Sequence, residues 1–427
     1  MKTVTQPPTV TKAGARRWDA LSIGWMCIAL LMPVYRVLPG SIQVAWVMGT
    51  LGLIVVSVAL GKVARPLYAM VWIIAGYGAL VAILTATTEG TVEENVSTGA
   101  QLFVLLGLGA FVMTSIVREN PHFIRTISTV FLTAQTVSSL AGIAQVAGIP
   151  VLGWSVVQGR APGLAGHPNV LGMLSCVAIL LCLHHLVYTR TRRLLTMAIA
   201  LINIGGLLAT GSLSALFAGA LGILVAAICM RGSIKNLLRI IVGTVVLSWL
   251  VVQFTDFADS VRTPADRYLQ VTGQTRADGT WEIRKRTYQF AWEGIKEHPL
   301  FGNGLSANHG ATFDGVTLTH NVFLRAWYQG GIMLALGIGL IVLTVVGVAI
   351  RSMIHKENGL AAGVLVAVMG FALTSAFFEQ SYYWLPVLVA WAAISQRAGR
   401  ARTDSAIPRG DIGSDSSPRT ATATSGT

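Results

Sequence analysis

Residues 331–350 read GIMLALGIGLIVLTVVGVAI, a stretch of the chain without a single charged side chain. About 20 apolar residues in a helix span the hydrocarbon core of a bilayer, so this stretch predicts a transmembrane helix. Further apolar runs of this kind are 20–38, 41–60, 67–87, 100–117, 124–147, 168–187, 194–210, 212–230, 237–254, 359–377 and 382–396. The sequence therefore predicts an all-α polytopic membrane protein with about 12 transmembrane helices.

The composition of the 427-residue chain agrees with this prediction. Apolar residues make up 53% and charged residues only 11%, whereas soluble domains carry about 25% charged residues. This excludes a disordered chain, a collagen-like chain and almost any soluble enzyme. A net charge of +13 is compatible with nucleic-acid binding, but the basic residues lie in short clusters between apolar runs. No nucleic-acid partner is therefore expected.

The cysteines point to neither a disulfide framework nor a metal site. All lie inside apolar runs, and no two of them form a C-x-x-C pair. We expect four buried small side chains, Cys27, Cys176, Cys182 and Cys229.

Basic residues predict the orientation, because short cytoplasmic loops are enriched in Lys and Arg. Every second connection is basic, and both tails belong to this set. The set comprises Arg16, Arg17, Lys62, Arg65, Arg118, Arg125, Arg190, Arg192, Arg193, Arg231, Lys235, Arg239, Arg351, Lys356, Arg397, Arg400 and Arg402. The short connections of the other set carry Arg36, Arg160, Glu89, Glu93, Glu94 and Glu379. Both termini are therefore predicted to be cytoplasmic.

The chain divides into a membrane domain and two polar tails. Residues 1–17 and 398–427 are rich in Thr, Ser, Pro, Gly and Arg and cannot bury a core, so disordered cytoplasmic tails are expected. Residues 18–397 form the transmembrane domain. Within it, residues 255–318 predict a long extracytoplasmic loop between helices 9 and 10.

That loop contains a helical pattern from about Trp281 to His298. One face of this helix carries Trp281, Arg284, Tyr288, Trp292 and Ile295. Trp and Tyr prefer the membrane interface, which predicts a helix lying on the outer leaflet with its cations touching membrane lipid. Arg284 lies inside this stripe and needs an anionic partner, either a structural carboxylate or a substrate phosphate.

The loop ends in two further features. Gly302, Gly304 and Ala307 imitate a dinucleotide fingerprint, but no strand precedes them, so no nucleotide site is predicted. His320 and Asn321 then lie at the outer mouth of the tenth helix. A histidine there is either a hydrogen-bonded structural residue or a base that accepts a hydroxyl proton near pH 7.

A second outward segment, GRAPGLAGHPN at residues 159–169, precedes the sixth helix. It contains Arg160, His167 and Asn169, and Pro168 suits the first position of the helix. An arginine beside a helix N-terminus suits an anion. The alternative is a rigid turn with an arginine at the membrane interface.

These segments, in this order, resemble the O-antigen ligase and polymerase superfamily. The first match is Arg284-x-x-x-Tyr288 with Ile295, then Pro299 to Gly304, then His320-Asn321 before Gly330-Gly331. The second match is Arg160 to Asn169. The resemblance implies a polytopic glycosyltransferase of the GT-C type, with its active site on the outer face of the bacterial cytoplasmic membrane.

The resemblance also implies the substrates. The donor is a polyprenyl-diphosphate-linked glycan, and the acceptor is a hydroxyl of a glycan, a lipid or a protein. Arginine holds a diphosphate leaving group without a metal, so neither a metal nor a cofactor is predicted. Asp256, Asp259 and Asp266 are spaced too loosely to suggest Mg²⁺ binding.

The resemblance assigns roles residue by residue. Arg160 and Arg284 bind the diphosphate, and His320 is the base, with Glu379 as the reserve candidate. Many relatives carry an arginine in the turn Thr210–Ser214, where this chain has Leu213. Either the two arginines suffice, or another one such as Arg286 helps. The remaining supporting residues are His167, Asn169, Tyr288 and Asn321.

Two other functions remain open at this stage. One is a 12-helix transporter, including a flippase of lipid-linked sugars, and the other is a non-catalytic membrane scaffold. Transporters place ionisable side chains near the bilayer midplane, whereas the predicted spans contain almost none. The sequence does not distinguish a ligase from a polymerase.

Overall fold

A computed structural model describes residues 19–85, 92–157, 159–189, 191–230, 280–306 and 317–406. These residues are helical and contain no β-strand, only two isolated bridges. The helices are α1 (Ala20–Leu31), α2 (Gly40–Ala59), α3 (Ala69–Thr85), α4 (Val92–Leu102), α5 (Ala110–Glu119), α6 (Phe123–Val146), α7 (Pro168–Tyr188), α8 (Arg193–Ala209), α9 (Leu213–Cys229), α10 (Thr280–Glu297), α11 (Val322–His355), α12 (Gly359–Ala372) and α13 (Ser381–Ala406). A π-helical segment, Phe103–Gly109, joins α4 to α5.

The all-helical membrane architecture is confirmed. Each predicted span except 237–254, which lies outside the described residues, overlaps a helix. Five helical stretches are long and apolar enough to cross a membrane: Gly40–Ala59, Val92–Glu119, Phe123–Val146, Pro168–Tyr188 and Val322–His355. The count of 12 spans stays a prediction, because α1, α3, α8, α9 and α12 are apolar but shorter.

Several predicted boundaries were wrong. The first run, 20–38, is not one helix: α1 ends at Leu31, and a 3₁₀ turn, Tyr35–Val37, follows. Pro33 lacks a backbone N–H and cannot donate a helical hydrogen bond to the carbonyl four residues earlier, which favours the end of the helix here. The tenth predicted span, in contrast, was too short: α11 begins at Val322, well before the predicted start at residue 331.

Burial of the cysteines was predicted correctly for three of the four. Cys176, Cys182 and Cys229 are buried, whereas Cys27 is exposed on α1. A small apolar thiol on a lipid-facing helix surface needs no burial in protein.

Small residues bring the central helices together. A Cβ atom added at Gly222 of α9 would meet the carbonyl of Gly363 on α12, and one at Gly78 of α3 would meet the backbone of α11. Van der Waals contact between closely approaching backbones drives helix association in a membrane, where no hydrophobic effect acts between helices.

The two predicted sets of connections lie at two ends of the bundle. At one end, Lys62 bridges Asp19 and Glu119, and Arg118 donates to the carbonyl of Arg65 at 3.0 Å. The other end holds the connections that carry the predicted site residues.

Candidate functional site

Arg160 lies in the loop before α7, and residues at the start of that helix hold it in place. His167 is the N-cap residue, and its Nδ1 accepts a hydrogen bond from the backbone N–H of Asn169 at 3.1 Å. Pro168 occupies the first helical position, as predicted. The Arg160 guanidinium donates to Asn169 Oδ1 at 2.5 Å and to the carbonyl of Thr210 at 2.7 Å.

The turn between α8 and α9 is the meeting point of two arginines. Arg160 contacts it at Thr210, and Arg284 donates to the Ser214 hydroxyl at 3.1 Å. Ser214 donates in turn to the carbonyl of Thr374 at 3.2 Å. Leu213 is the first residue of α9, so this turn and the start of α9 have no arginine of their own but receive two from distant segments. These neutral acceptors orient the guanidinium groups.

The helix predicted from Trp281 to His298 is α10. Its inner face carries Arg284, Tyr288, Ala291 and Ile295. Of these, Ala291 and Ile295 pack against Tyr328 of α11. Trp292, of the predicted stripe, is 45% exposed, and its ring lies edge-to-face against Trp327 of α11 with the centroids 6.0 Å apart. The side chain of Trp281 lies outside the described residues.

Tyr288 ties α10 to the predicted base. Its hydroxyl donates to the carbonyl of His320 at 3.0 Å. Asn321 then caps α11, since its Oδ1 accepts the N–H of Leu324 at 2.9 Å. Its Nδ2 donates to the carbonyl of Leu373 at 3.2 Å. His320 is thereby fixed on both sides.

Two imidazoles face this cluster in the neutral state. Burial lowers the pKa of His320 to about 4, with Arg284 and His167 contributing through their charges. Desolvation in the cleft, together with Arg160 and Arg36, lowers the pKa of His167 to about 4 as well. His167 is one of the groups that lower the pKa of His320, so the Arg160 segment lies near His320.

The turn Pro299–Gly304 packs against a break in α11 and stabilises it. Gly331 has a left-handed φ of 73°, and a Cβ there would collide with the carbonyl of Leu300. The break is stabilised because the N–H groups of Asn303 and Gly304 donate to the carbonyls of Tyr328 and Gln329 at 2.8 and 3.0 Å. The glycines of the turn therefore serve close backbone packing.

Comparison with known families tests the resemblance. The model of the O-antigen ligase family matches residues 198–339. Residues 198–339 are therefore similar to the O-antigen ligase family. This confirms the resemblance and supports a membrane glycosyltransferase of the ligase or polymerase type. Among curated proteins, none matches the sequence at a significant level.

The residues that the family model matches contain only part of the cluster. Arg284, Tyr288, His320 and Asn321 lie inside the matched residues. The α7 segment, with Arg160, His167 and Asn169, lies before the match but contacts it directly through Thr210 and Ser212. The cluster is therefore assembled from the matched residues and from the segment that precedes them.

Arg286 does not join the cluster. Its side chain is 57% exposed and lies 3.8 Å from Glu282 in an i, i+4 ion pair on the outer face of α10. Such exposed pairs contribute little.

The matched residues also contain a buried arginine that was not predicted from the sequence. Arg325 is fully buried in the first turns of α11, with Nε donating to Gln329 Oε1 at 2.8 Å. Its Nη2 lies 3.5 Å from Glu379 Oε2, and its guanidinium stacks over the ring of Phe378. The predicted loop ended at residue 318 and the predicted span began at residue 331, so Arg325 was assigned to neither. One signal for this helical position was available in the sequence. Arg325 and Gln329 have i, i+4 spacing, which extends the helical pattern back to the Asn321 cap.

Proposed function

We propose that this protein transfers a glycan from a polyprenyl-diphosphate carrier to a hydroxyl acceptor. The observation that carries the proposal is the convergence of Arg160 and Arg284 on one turn, beside the neutral imidazole of His320. A diphosphate leaving group requires fixed positive charge, and an attacking hydroxyl requires a proton acceptor. The cluster supplies both.

The two arginines serve the leaving group. The planar guanidinium forms paired hydrogen bonds to phosphate oxygens. Because the neutral turn already orients Arg160 and Arg284, little reorganisation is needed as charge develops on the departing diphosphate. Arg286 faces away, and we assign it no contact with the diphosphate.

His320 serves the acceptor. The acceptor oxygen forms a bond to the anomeric carbon, the bond from that carbon to the diphosphate oxygen breaks, and the diphosphate leaves with the electron pair. The proton of the acceptor hydroxyl passes to the imidazole. A pKa of about 4 makes the free imidazole a weak base, but a bound diphosphate offsets the charge of Arg284 and raises that pKa.

Glu379 is less suited to be the base. Its carboxylate is the ion-pair partner of Arg325, which occupies it. We infer that Glu379 supports the site through Arg325.

Transfer in liposomes tests the proposal. Protein reconstituted without an ion gradient is given a labelled polyprenyl-diphosphate glycan and one hydroxyl acceptor at a time. We expect label on the acceptor and release of polyprenyl diphosphate, with activity persisting in excess EDTA. A flippase moves the donor without releasing the carrier, and a scaffold does neither. Product length separates a ligase, which adds one finished glycan, from a polymerase, which gives a ladder.

The orientation has its own test. In a cysteine-free background, which is needed because Cys27 is exposed, Val157→Cys should react with an impermeant thiol reagent in intact cells and Thr191→Cys should not. The reverse labelling pattern would place the cluster on the cytoplasmic side of the membrane. That result would contradict the outward-facing active site of this proposal.

A further inference from the structure

Two adjoining cavities lie at the end of the bundle opposite the proposed active site. Their volumes are about 500 Å³ and 260 Å³, and both are lined by Leu67, Tyr68 and Ala398. The larger is comparable with a small-molecule site. The charged side chains that line them are Arg65, Arg118, Arg351, Arg397 and Glu357. Four arginines and one glutamate therefore line the two cavities.

The arginines of these cavities are not consumed by ion pairs. Among the residues that the structure describes, none of the four pairs with a carboxylate within 4 Å. Arg118 donates to the carbonyl of Arg65, and Arg397 donates to Asn358 Oδ1 at 3.2 Å. Lys62, at the same end, instead bridges two carboxylates. The cavities thus keep a positive charge that an anion can neutralise.

The wall shared by the cavities is rigid and strained. The N–H of Leu67 donates to Ser395 Oγ at 2.9 Å, and its carbonyl accepts from Trp391 Nε1 at 2.8 Å. The next residue, Tyr68, has a left-handed φ of 53° and is 42% exposed. A bulky residue is rarely found in this conformation, and such strain persists where the surroundings enforce it, often at ligand sites.

An apolar path leads from the larger cavity along α3. The helix presents one stripe of exposed side chains at helical spacing: Met70, Ile73, Tyr77, Leu80 and Leu84. Met70 also lines the cavity itself. A ligand with an anionic head and apolar chains fits both parts, and the positive-inside pattern assigns this end to the leaflet whose surface is negatively charged.

We propose that these cavities bind the phosphate headgroup of an anionic phospholipid whose acyl chains lie along the α3 stripe. Guanidinium groups suit a phosphodiester, since their planar donors match its oxygens. The site is separate from the proposed glycosyl transfer and does not depend on it.

Lipid binding to the purified full-length chain tests the proposal. Protein in an uncharged detergent is titrated with phosphatidylglycerol, phosphatidylcholine or inorganic phosphate, and the bound lipid is counted by native mass spectrometry. The variant is Arg65→Gln with Arg351→Gln. The matched control is Arg125→Gln with Arg193→Gln, which removes the same charge from exposed residues of the same set of connections outside the cavities.

We expect the cavity variant to bind phosphatidylglycerol about 10- to 30-fold more weakly and the control to bind it like the parent protein. Equal weakening in both would mean general surface charge and would overturn the proposal, as would binding of inorganic phosphate that competes fully with the lipid. If the double variant does not fold, single Arg351→Gln should lose about threefold relative to Arg193→Gln, and equal affinities would overturn the site.

Discussion

The two ends of the bundle both concentrate arginine, but they hold it differently. At the proposed active site, Arg160 and Arg284 are half-buried and fixed by backbone, amide and hydroxyl acceptors. At the opposite end, Arg65 and Arg351 are exposed and line open cavities. Fixed cations suit charge that develops at one position during a reaction. Exposed cations suit a headgroup that needs charge but little geometry. Substitutions at the first end should therefore change rate, and those at the second should change lipid affinity.

His320→Ala should have the largest effect. We expect transfer to slow by about 10²- to 10⁴-fold, the usual contribution of a general base, while donor affinity is retained. The measurement is the single-turnover rate of purified protein, with His122→Ala, an exposed histidine at the opposite end, as control. A near-normal rate would remove the base assignment and promote Glu379.

The same residue sets the pH dependence. Because the pKa of free His320 is lowered to about 4, kcat/KM should fall only as the pH drops through about 4, where the imidazole becomes protonated. A bound diphosphate raises that pKa, so kcat should fall at a higher pH than kcat/KM. Identical acid limbs in the two profiles would contradict a contact between His320 and the charged donor.

Arg160→Ala and Arg284→Ala should follow, each slowing transfer by about 30- to 1000-fold. Arg→Lys at either position should restore little, because lysine keeps the charge but loses the planar fork. Lys285→Ala, on the outer face of the same helix as Arg284, is the matched control. If Arg284→Ala keeps both donor binding and turnover, α10 is only an interfacial anchor.

Arg325 should affect stability more than chemistry. Arg325→Met leaves the carboxylate of Glu379 without its ion-pair partner and should cost about 3 kcal/mol, seen as a lower Tm in detergent. The double variant Arg325→Met with Glu379→Gln should recover much of that loss. Additive losses would mean that the two side chains are not coupled.

The smallest effect belongs to Arg286. Arg286→Ala should change single-turnover rate by less than about threefold, because its side chain is exposed and faces Glu282. A loss as large as that of Arg284→Ala would mean that α10 rotates when the donor binds and would undo the distinction between its two faces.

The sequence by itself determined the membrane architecture, the two sets of connections and the helix α10. Bilayer insertion and charge asymmetry act on local composition, so apolar length and loop cations carry this information without any long-range contact. The motifs around Arg160, Arg284 and His320 were visible for the same reason, since each is a short segment with its own residue pattern.

Only the tertiary structure decided how those segments meet. The turn Thr210–Ser214 lies far along the chain from Arg160 and Arg284, and nothing in its composition predicts that it binds both. Likewise, the break at Gly331 depends on a turn about 30 residues earlier, and the charge of Arg325 is matched by Glu379 on another element. Contacts between distant residues leave no periodic signal in the sequence, because packing selects them after the helices have formed.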